Sequence, residues 1–342
     1  MARLAVVTSS PPSSEGGHLA IGHALVQAAQ EAGHQAALVI TPDFGFGRTW
    51  STYRANWIAR VGEVDQIISL RYPSYAVRHP AHVCWLNHTM REYYDLWPGF
   101  AASLSPLNRV KEGVRRRLVR SADAWLLRNN VCRLVAQSET IRRRIANDFG
   151  MRAEVLHPPP PQRAYRCEEY GAYIFAVSRL VSLKRVELLV RALAEPLARH
   201  VTAVIAGEGH SREELEALAL AIGVEKRVTF LGRIDESAML GHLARCRAVC
   251  FTPLDEDYGF VTGEAFASRK AVITCVDSGG PTELVTHEQT GLVTEATPAA
   301  LAAALARIVD DRALAERLGS HAAAFVSGMK WDAAVRQLMI VP

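Results

Sequence analysis

Four consecutive prolines, Pro158 to Pro161, divide this chain. A proline run has no amide hydrogens for a helix or a sheet ladder and keeps the backbone extended and stiff, so neither a helix nor a central strand can pass through it. On each side of the run the same pattern repeats: a short β-branched or apolar segment, then a stretch with apolar residues at helical spacing. Before it, "RLAVVTS" precedes "HLAIGHALVQAAQEAGH" and "QAALVIT", with "QIISL", "HVCWLN" and "RLVAQS" as later strands. After it, "AYIFAVS" leads to "KRVELLVRALAEPL", "VTAVIAG" to "SREELEALALAIG", "VTFLG" to "DESAMLGHLARC", "AVCFTP" to "VTGEAFASRK" and "AVITC" to "PTELVTH". Runs too apolar to have a wet face, each followed by a helix, predict parallel sheets covered on both sides.

Two Rossmann-like α/β domains are the economical reading, with "HPPPPQRAYRCEEY", residues 157–170, between them. At 342 residues and 49% apolar content the chain can bury two cores, which sets disorder aside. The longest apolar runs fall short of the ~18 residues of a spanning helix, and "MARLAVVT" is too short for a signal-peptide core; a cytoplasmic protein is expected. Six scattered cysteines with no C-x2-C pair suggest reduced structural thiols rather than a zinc ribbon or a disulfide framework. Charge is uneven: residues 1–166 hold 21 Lys/Arg against 12 Asp/Glu, and residues 167–342 hold 18 against 23. Much of the basic excess lies in "RVKEGVRRRLVR" (109–120) and "IRRRIANDF" (141–149). These read either as solvated helix faces or as a surface for anionic headgroups or an acidic acceptor, so peripheral contact with the inner face of the cell membrane stays open. Nucleic acid is disfavoured, because no aromatics interleave and no recognition motif is present.

Several motifs compete for the chemistry. "DSGGP" (277–281) matches the tail of a serine-protease signature, but it follows a parallel-type strand and has no histidine in a matching setting upstream; a glycine-rich turn accounts for it better. "AGEGHSREE" offers Gly207-x-Gly209 after a strand, yet Arg212 stands where a dinucleotide fingerprint needs a third glycine. "DED" (255–257) could hold a divalent ion on a diphosphate, which would make the protein metal-dependent.

"EDYGFVTGEAF" (256–266) places Glu256 on the loop after the strand "AVCFTP" and Glu264 in the helix that follows. Loops at that edge of a parallel sheet are where this architecture binds ligands. Gly259 permits tight backbone geometry, and the amides of Phe260 and Val261 at the helix start are natural donors to a phosphate. A carboxylate is a poor phosphate neighbour but a good acceptor for vicinal hydroxyls. Two of them around a phosphate-binding turn suggest a ligand with a sugar at each end of a diphosphate.

The Glu-x7-Glu stretch resembles the hallmark of the retaining glycosyltransferases of family 4, with the GT-B fold. Four further segments agree in order: "VSRLVSLKRVELLVRAL" is similar to the family's Arg-x4-Lys segment and gives Arg179 and Lys184, and "VITCVDSGGPTELVTHEQTGLV" to its Gly-Gly-x-x-Glu segment. "SSEGGHLAIGHALVQAAQEAGHQ" looks like its N-terminal glycine-rich loop and helix, and "KWDAAV" like its terminal helix that crosses back onto the first domain. The resemblance spans nearly the whole chain; it is strongest over 172–295 and loosest over 44–130, where family members bind different acceptors.

It implies two Rossmann-like domains with parallel sheets facing each other across a cleft. Residues 1–166, completed by a helix over 330–342, would take the acceptor, and residues 167–329 the nucleotide-sugar donor. Arg179 and Lys184 would neutralise the donor diphosphate with no metal or cofactor, stabilising a leaving group whose charge grows as the bond breaks. Glu264 would accept from the ribose and Glu256 from hydroxyls of the donor sugar. Gly16 and Gly17 would bring amides of the first domain to the phosphate, and Gly232 and Arg233 lie where the base would sit. His88 would meet the donor sugar and the reaction centre, with His18 and His82 as competitors. The implied reaction is transfer, with retention, to a glycan, glycolipid or small-molecule acceptor, as in polysaccharide biosynthesis. The rivals are a nucleotide-sugar epimerase or hydrolase and a catalytically silent scaffold.

Overall fold

The computed structural model describes residues 1–11 and 17–341. The chain forms two compact units, residues 1–158 with 330–342, and residues 159–329. The division falls between Pro158 and Pro159, inside the proline run and upstream of the 166/167 boundary expected from the sequence. The reason is that the segment after the prolines is tied to the second unit: Arg163 pairs with Glu264, the Glu168 amide donates to the Ala244 carbonyl, and the buried Lys270 donates to the Glu169 carbonyl while lying over the Tyr170 ring.

In the first unit six strands, β1 (Arg3–Ser10), β2 (Gln35–Pro42), β3 (Gln66–Ser69), β4 (His82–Leu86), β5 (Arg133–Ala136) and β6 (Glu154–Val155), make one parallel sheet in the order β2-β1-β3-β4-β5-β6. The central strands β3 and β4 are buried at every position, which is why their sequences show no alternation. The helix Trp331–Leu338 belongs to this unit. Trp331 meets Trp85 edge-on at 6.2 Å, and the buried Gln66 side chain donates to the Leu338 carbonyl (2.7 Å) and accepts from the Ile340 amide (2.9 Å).

The second unit repeats the plan with β7 (Tyr173–Val177), β8 (Thr202–Ala206), β9 (Val228–Gly232), β10 (Ala248–Cys250), β11 (Val272–Cys275) and β12 (Gly291–Thr294), all parallel, in the order β12-β11-β10-β7-β8-β9. Its core joins β7, β8 and β11 to the apolar faces of Val186–Ala194 and Pro298–Asp310. The sequence pattern over-extends one helix: "PTELVTH" is helical only over Pro281–Leu284, after which Thr286 turns back through the Thr290 hydroxyl to enter β12. The strand β6, two residues long, is too brief to carry a pattern in the sequence.

In both sheets the chain order reverses once. In the first unit the reversal lies between β1 and β3, and in the second between β7 and β10. Connections leave those paired strands in opposite directions, so a crevice opens beyond their C-terminal ends, the usual binding place of open parallel sheets.

Candidate active site

In the second unit the loops after β7 and β10 flank the reversal, and they carry the residues singled out from the sequence. Lys184 donates to Glu256 at 2.6 Å, with both side chains largely covered. Arg179 is exposed on the β7 loop and makes no ion pair among the described residues. Three backbone contacts fix this rim: Leu180 N–H to Glu208 O (2.9 Å), Ser178 N–H to Ala206 O (3.1 Å) and Gly207 N–H to Gly232 O (2.7 Å). A Cβ on Gly207 would lie 1.8 Å from the Ser178 carbonyl oxygen, and one on Gly209 2.1 Å from that of Leu180. The Gly207-x-Gly209 turn is therefore a close approach of two loops that sets where Arg179 stands. Gly232, buried and at φ 71°, ends β9, with Arg233 exposed beside it.

The Glu256 loop is clamped by "DSGGP". Glu256 N–H donates to Ser278 O and Gly280 N–H to Glu256 O, each at 2.9 Å, and Asp255 N–H donates to Asp277 O. Ser278 is buried and accepts from the Cys275 amide at 3.2 Å, which makes it part of the turn. Arg185, beside Lys184 and absent from the expected set, stitches the two loops together. It donates to the Thr252 and Pro253 carbonyls (2.9 and 2.8 Å) and makes a two-pronged pair with Asp277 (2.6 and 2.7 Å).

Gly259, at φ 84°, precedes the helix Phe260–Ala267, whose first amides, those of Phe260 and Val261, have no intrahelical acceptor. A Cβ on Gly259 would lie 2.8 Å from the Phe251 ring, so only glycine lets the chain turn here. Glu264 is buried on this helix. Burial pushes its carboxyl up, and Arg163 and the Tyr165 hydroxyl (3.4 Å) hold it down. Arg163, which also meets Glu236 at 3.0 Å, escapes a sequence reading because it lies in a stretch whose pattern signals only a linker.

At the reversal of the first unit, Gly17 opens the helix Gly17–Glu31; Gly16 lies outside the described residues. His18 Nε2 faces Arg71 Nη1 at 3.4 Å, and Arg71 pairs with Asp43 at 3.5 Å. Burial and then Arg71 push the His18 and His88 imidazoles down to about 3. His88 is thus neutral at physiological pH. Its Nδ1 proton goes to the Thr89 carbonyl (2.8 Å), which leaves Nε2 as a hydrogen-bond acceptor. His82 is part of the sheet instead, fully buried with Nε2 2.8 Å from the Ser69 hydroxyl. Arg71 was not among the expected residues; its only signal was a charge at the end of the apolar run "QIISL". Its Nε is buried without a partner among the described residues.

Two six-stranded parallel sheets, each with one reversal of chain order and helices around it, make an α/β fold of the GT-B type. Structural likeness agrees: Anabaena HepE, solved with UDP and glucose, superposes over 97% of each chain with a TM-score of 0.72 at 17% identity. Residues 163–325 match the family described as Glycosyl transferases group 1. An uncharacterized glycosyltransferase of Methanocaldococcus jannaschii is 30% identical over 47% of this chain and 42% of its own length. A GDP-mannose-dependent alpha-(1-6)-phosphatidylinositol monomannoside mannosyltransferase of Mycobacterium tuberculosis is 32% identical over 59% of each. The chain thus spans about half the length of these relatives.

Proposed function

We propose that the chain transfers a glycosyl group from a nucleotide-diphosphate sugar to a hydroxyl acceptor, with retention and without a metal ion. The observation that carries this is the gathering of Arg179, Lys184, Glu256 and Glu264 around the β7/β10 reversal. Arg179 and Lys184 supply the positive charge that a departing diphosphate needs, and the Phe260 and Val261 amides add donors at a helix start. Glu264 takes the ribose hydroxyls, while Glu256, oriented by Lys184, takes those of the donor sugar. As the bond from the anomeric carbon to the phosphate oxygen breaks, the nucleoside diphosphate leaves with the electron pair. The acceptor oxygen bonds to the same face through an oxocarbenium-like state and passes its proton to the departing phosphate. A GDP-mannose-dependent relative and a structural neighbour bound to UDP and glucose support a nucleotide-sugar donor. The first unit is assigned the acceptor, a lipid-linked glycan or polysaccharide precursor, with His88 Nε2 available to one of its hydroxyls.

The test is calorimetric titration of UDP, GDP, ADP and dTDP, in EDTA, into the wild type, Glu264→Ala and Lys184→Ala. One nucleotide should bind tightly to the wild type and about 10- to 100-fold more weakly to each variant, the range for a lost charged hydrogen bond. Failure of all four to bind would favour the silent scaffold, binding restored only by a divalent ion would favour Asp255 and Asp257 as ligands, and sugar release without acceptor would favour the hydrolase.

A further inference from the structure

The helix Pro106–Asn129 buries one face, with Val119, Asp123, Leu126 and Leu127 turned inward. Its opposite face is not the polar one that a solvated helix should show. Leu107, Val110, Val114, Leu118 and Trp125 are 80, 68, 53, 53 and 52% exposed. Their spacings of three, four, four and seven place them in one row, and eighteen residues at about 1.5 Å each make that row ~27 Å long. The row continues onto a second helix, Thr49–Ile58: the Trp125 and Trp57 rings lie 5.8 Å apart, and Trp50 and Ile58 are exposed beyond them.

The cations sort themselves around this row. Arg115, Arg116 and Arg120 are committed to Glu112, to the Tyr93 carbonyl and to Asp148, and in "IRRRIANDF" Arg142 and Arg144 pair with Glu139 and Asp95. The second basic stretch expected to face anions is therefore largely spent on internal partners. Lys111 and Arg117, one on each flank of the apolar row, are exposed and have no ion pair among the described residues. Beside Trp57 opens a depression of about 670 Å³ whose walls include Arg60, Arg78 and His79, with the Arg78 guanidinium 4.7 Å above the Trp57 ring.

We propose that this face docks on an anionic phospholipid membrane, the apolar row entering the acyl boundary while Lys111 and Arg117 meet headgroup phosphates. A convex single-helix row with tryptophans at one end and flanking cations has the form of an interfacial helix. Among the described residues no helix is long and apolar enough to cross a membrane, so the contact is one of lying on the surface. The proposal is independent of the transfer reaction and stands or falls without it.

The experiment is co-sedimentation of the full chain with vesicles of equimolar phosphatidylglycerol and phosphatidylcholine, and with phosphatidylcholine alone. Two double variants, Val114→Asp with Leu118→Asp and Lys111→Glu with Arg117→Glu, accompany the wild type, their thermal unfolding checked because all four sites are exposed. The wild type should bind the acidic vesicles at least about tenfold more tightly than the neutral ones, and each double variant should lose about tenfold or more. Tryptophan emission should shift to shorter wavelength only in the wild type with acidic vesicles. Equal binding to both vesicle types, or folded variants that bind as the wild type does, would overturn the proposal. So would self-association of the wild type in sedimentation velocity, abolished by the aspartates, with no vesicle binding, since the row would then join copies of the chain.

Discussion

Arg163 lays its guanidinium on the carboxylate of Glu264, tying the segment that enters the second unit to the helix Phe260–Ala267. The pair does two things at once. It opposes the rise that burial imposes on the Glu264 carboxyl, and it fixes the orientation in which that carboxyl meets a ligand.

Removing Arg163 tests the first of these. Burial raises the Glu264 carboxyl, and Arg163 opposes that rise; in Arg163→Ala the carboxyl rises further. A carboxyl raised in the folded state makes its ionised form costly, and the cost is relieved as pH falls through the folded value. Arg163→Ala should therefore be less stable than the wild type at neutral pH by about 3 kcal/mol, the loss expected when one partner of a buried pair is deleted, and should recover part of this in mild acid. Nucleotide affinity should move the opposite way, falling about tenfold from mildly alkaline to mildly acidic pH as charge assistance is lost. Urea denaturation and calorimetry read the two, and a variant with flat pH profiles in both would show that Arg163 does not oppose the rise of the Glu264 carboxyl.

The second prediction concerns the clamp beneath Glu256. A methyl group on Gly280 would lie 2.4 Å from Tyr258 Cα and 2.6 Å from its carbonyl oxygen, both backbone atoms that cannot swing away. Gly280→Ala should force the loops apart, break the Gly280 N–H bond to Glu256 O and lower stability by about 1 to 3 kcal/mol. Because Glu264 stands on the following helix, nucleotide binding should survive better than turnover of the sugar donor. Thermal unfolding and a donor-turnover assay check this, and loss of nucleotide binding equal to the loss of turnover would refute the separation.

What could be read in advance follows from how far each interaction reaches along the chain. The parallel sheets were legible because strands buried on both faces have continuous apolar runs, and the placement of Glu256 on a loop and Glu264 on the helix after it because their spacing spans a loop-to-helix junction. Arg71, Arg163 and Arg185 were not legible. Each acts through a partner that the fold alone supplies: Arg71 through His18, 53 positions away, Arg163 through Glu264, 101 away, and Arg185 through Asp277, 92 away. The charge runs could not be sorted in the sequence for the same reason. Their arginines look alike in sequence, yet packing commits Arg120 to Asp148 and leaves Arg117 in solvent.

The last prediction lies in the core of the first unit. Asp123 is fully buried and accepts from the hydroxyls of Tyr53, Tyr75 and Tyr94, the last at 2.6 Å. Burial pushes its carboxyl from the ordinary 3.8 up to about 6, less far than burial alone would, because the three hydroxyls favour the ionised form. Between those two values the folded chain binds the proton more tightly than the unfolded chain does. The stability that Asp123 contributes is then greatest below the unfolded value and is lost as pH rises through about 6. A rise of that size is equivalent to about 3 kcal/mol. Asp123→Asn keeps the acceptor oxygen but cannot titrate, so the unfolding free energy of the wild type minus that of the variant should grow by roughly this amount from neutral pH to about pH 4. Urea denaturation of both proteins across that range measures the gap, and a constant gap would mean that Asp123 titrates as an ordinary carboxylate despite its burial.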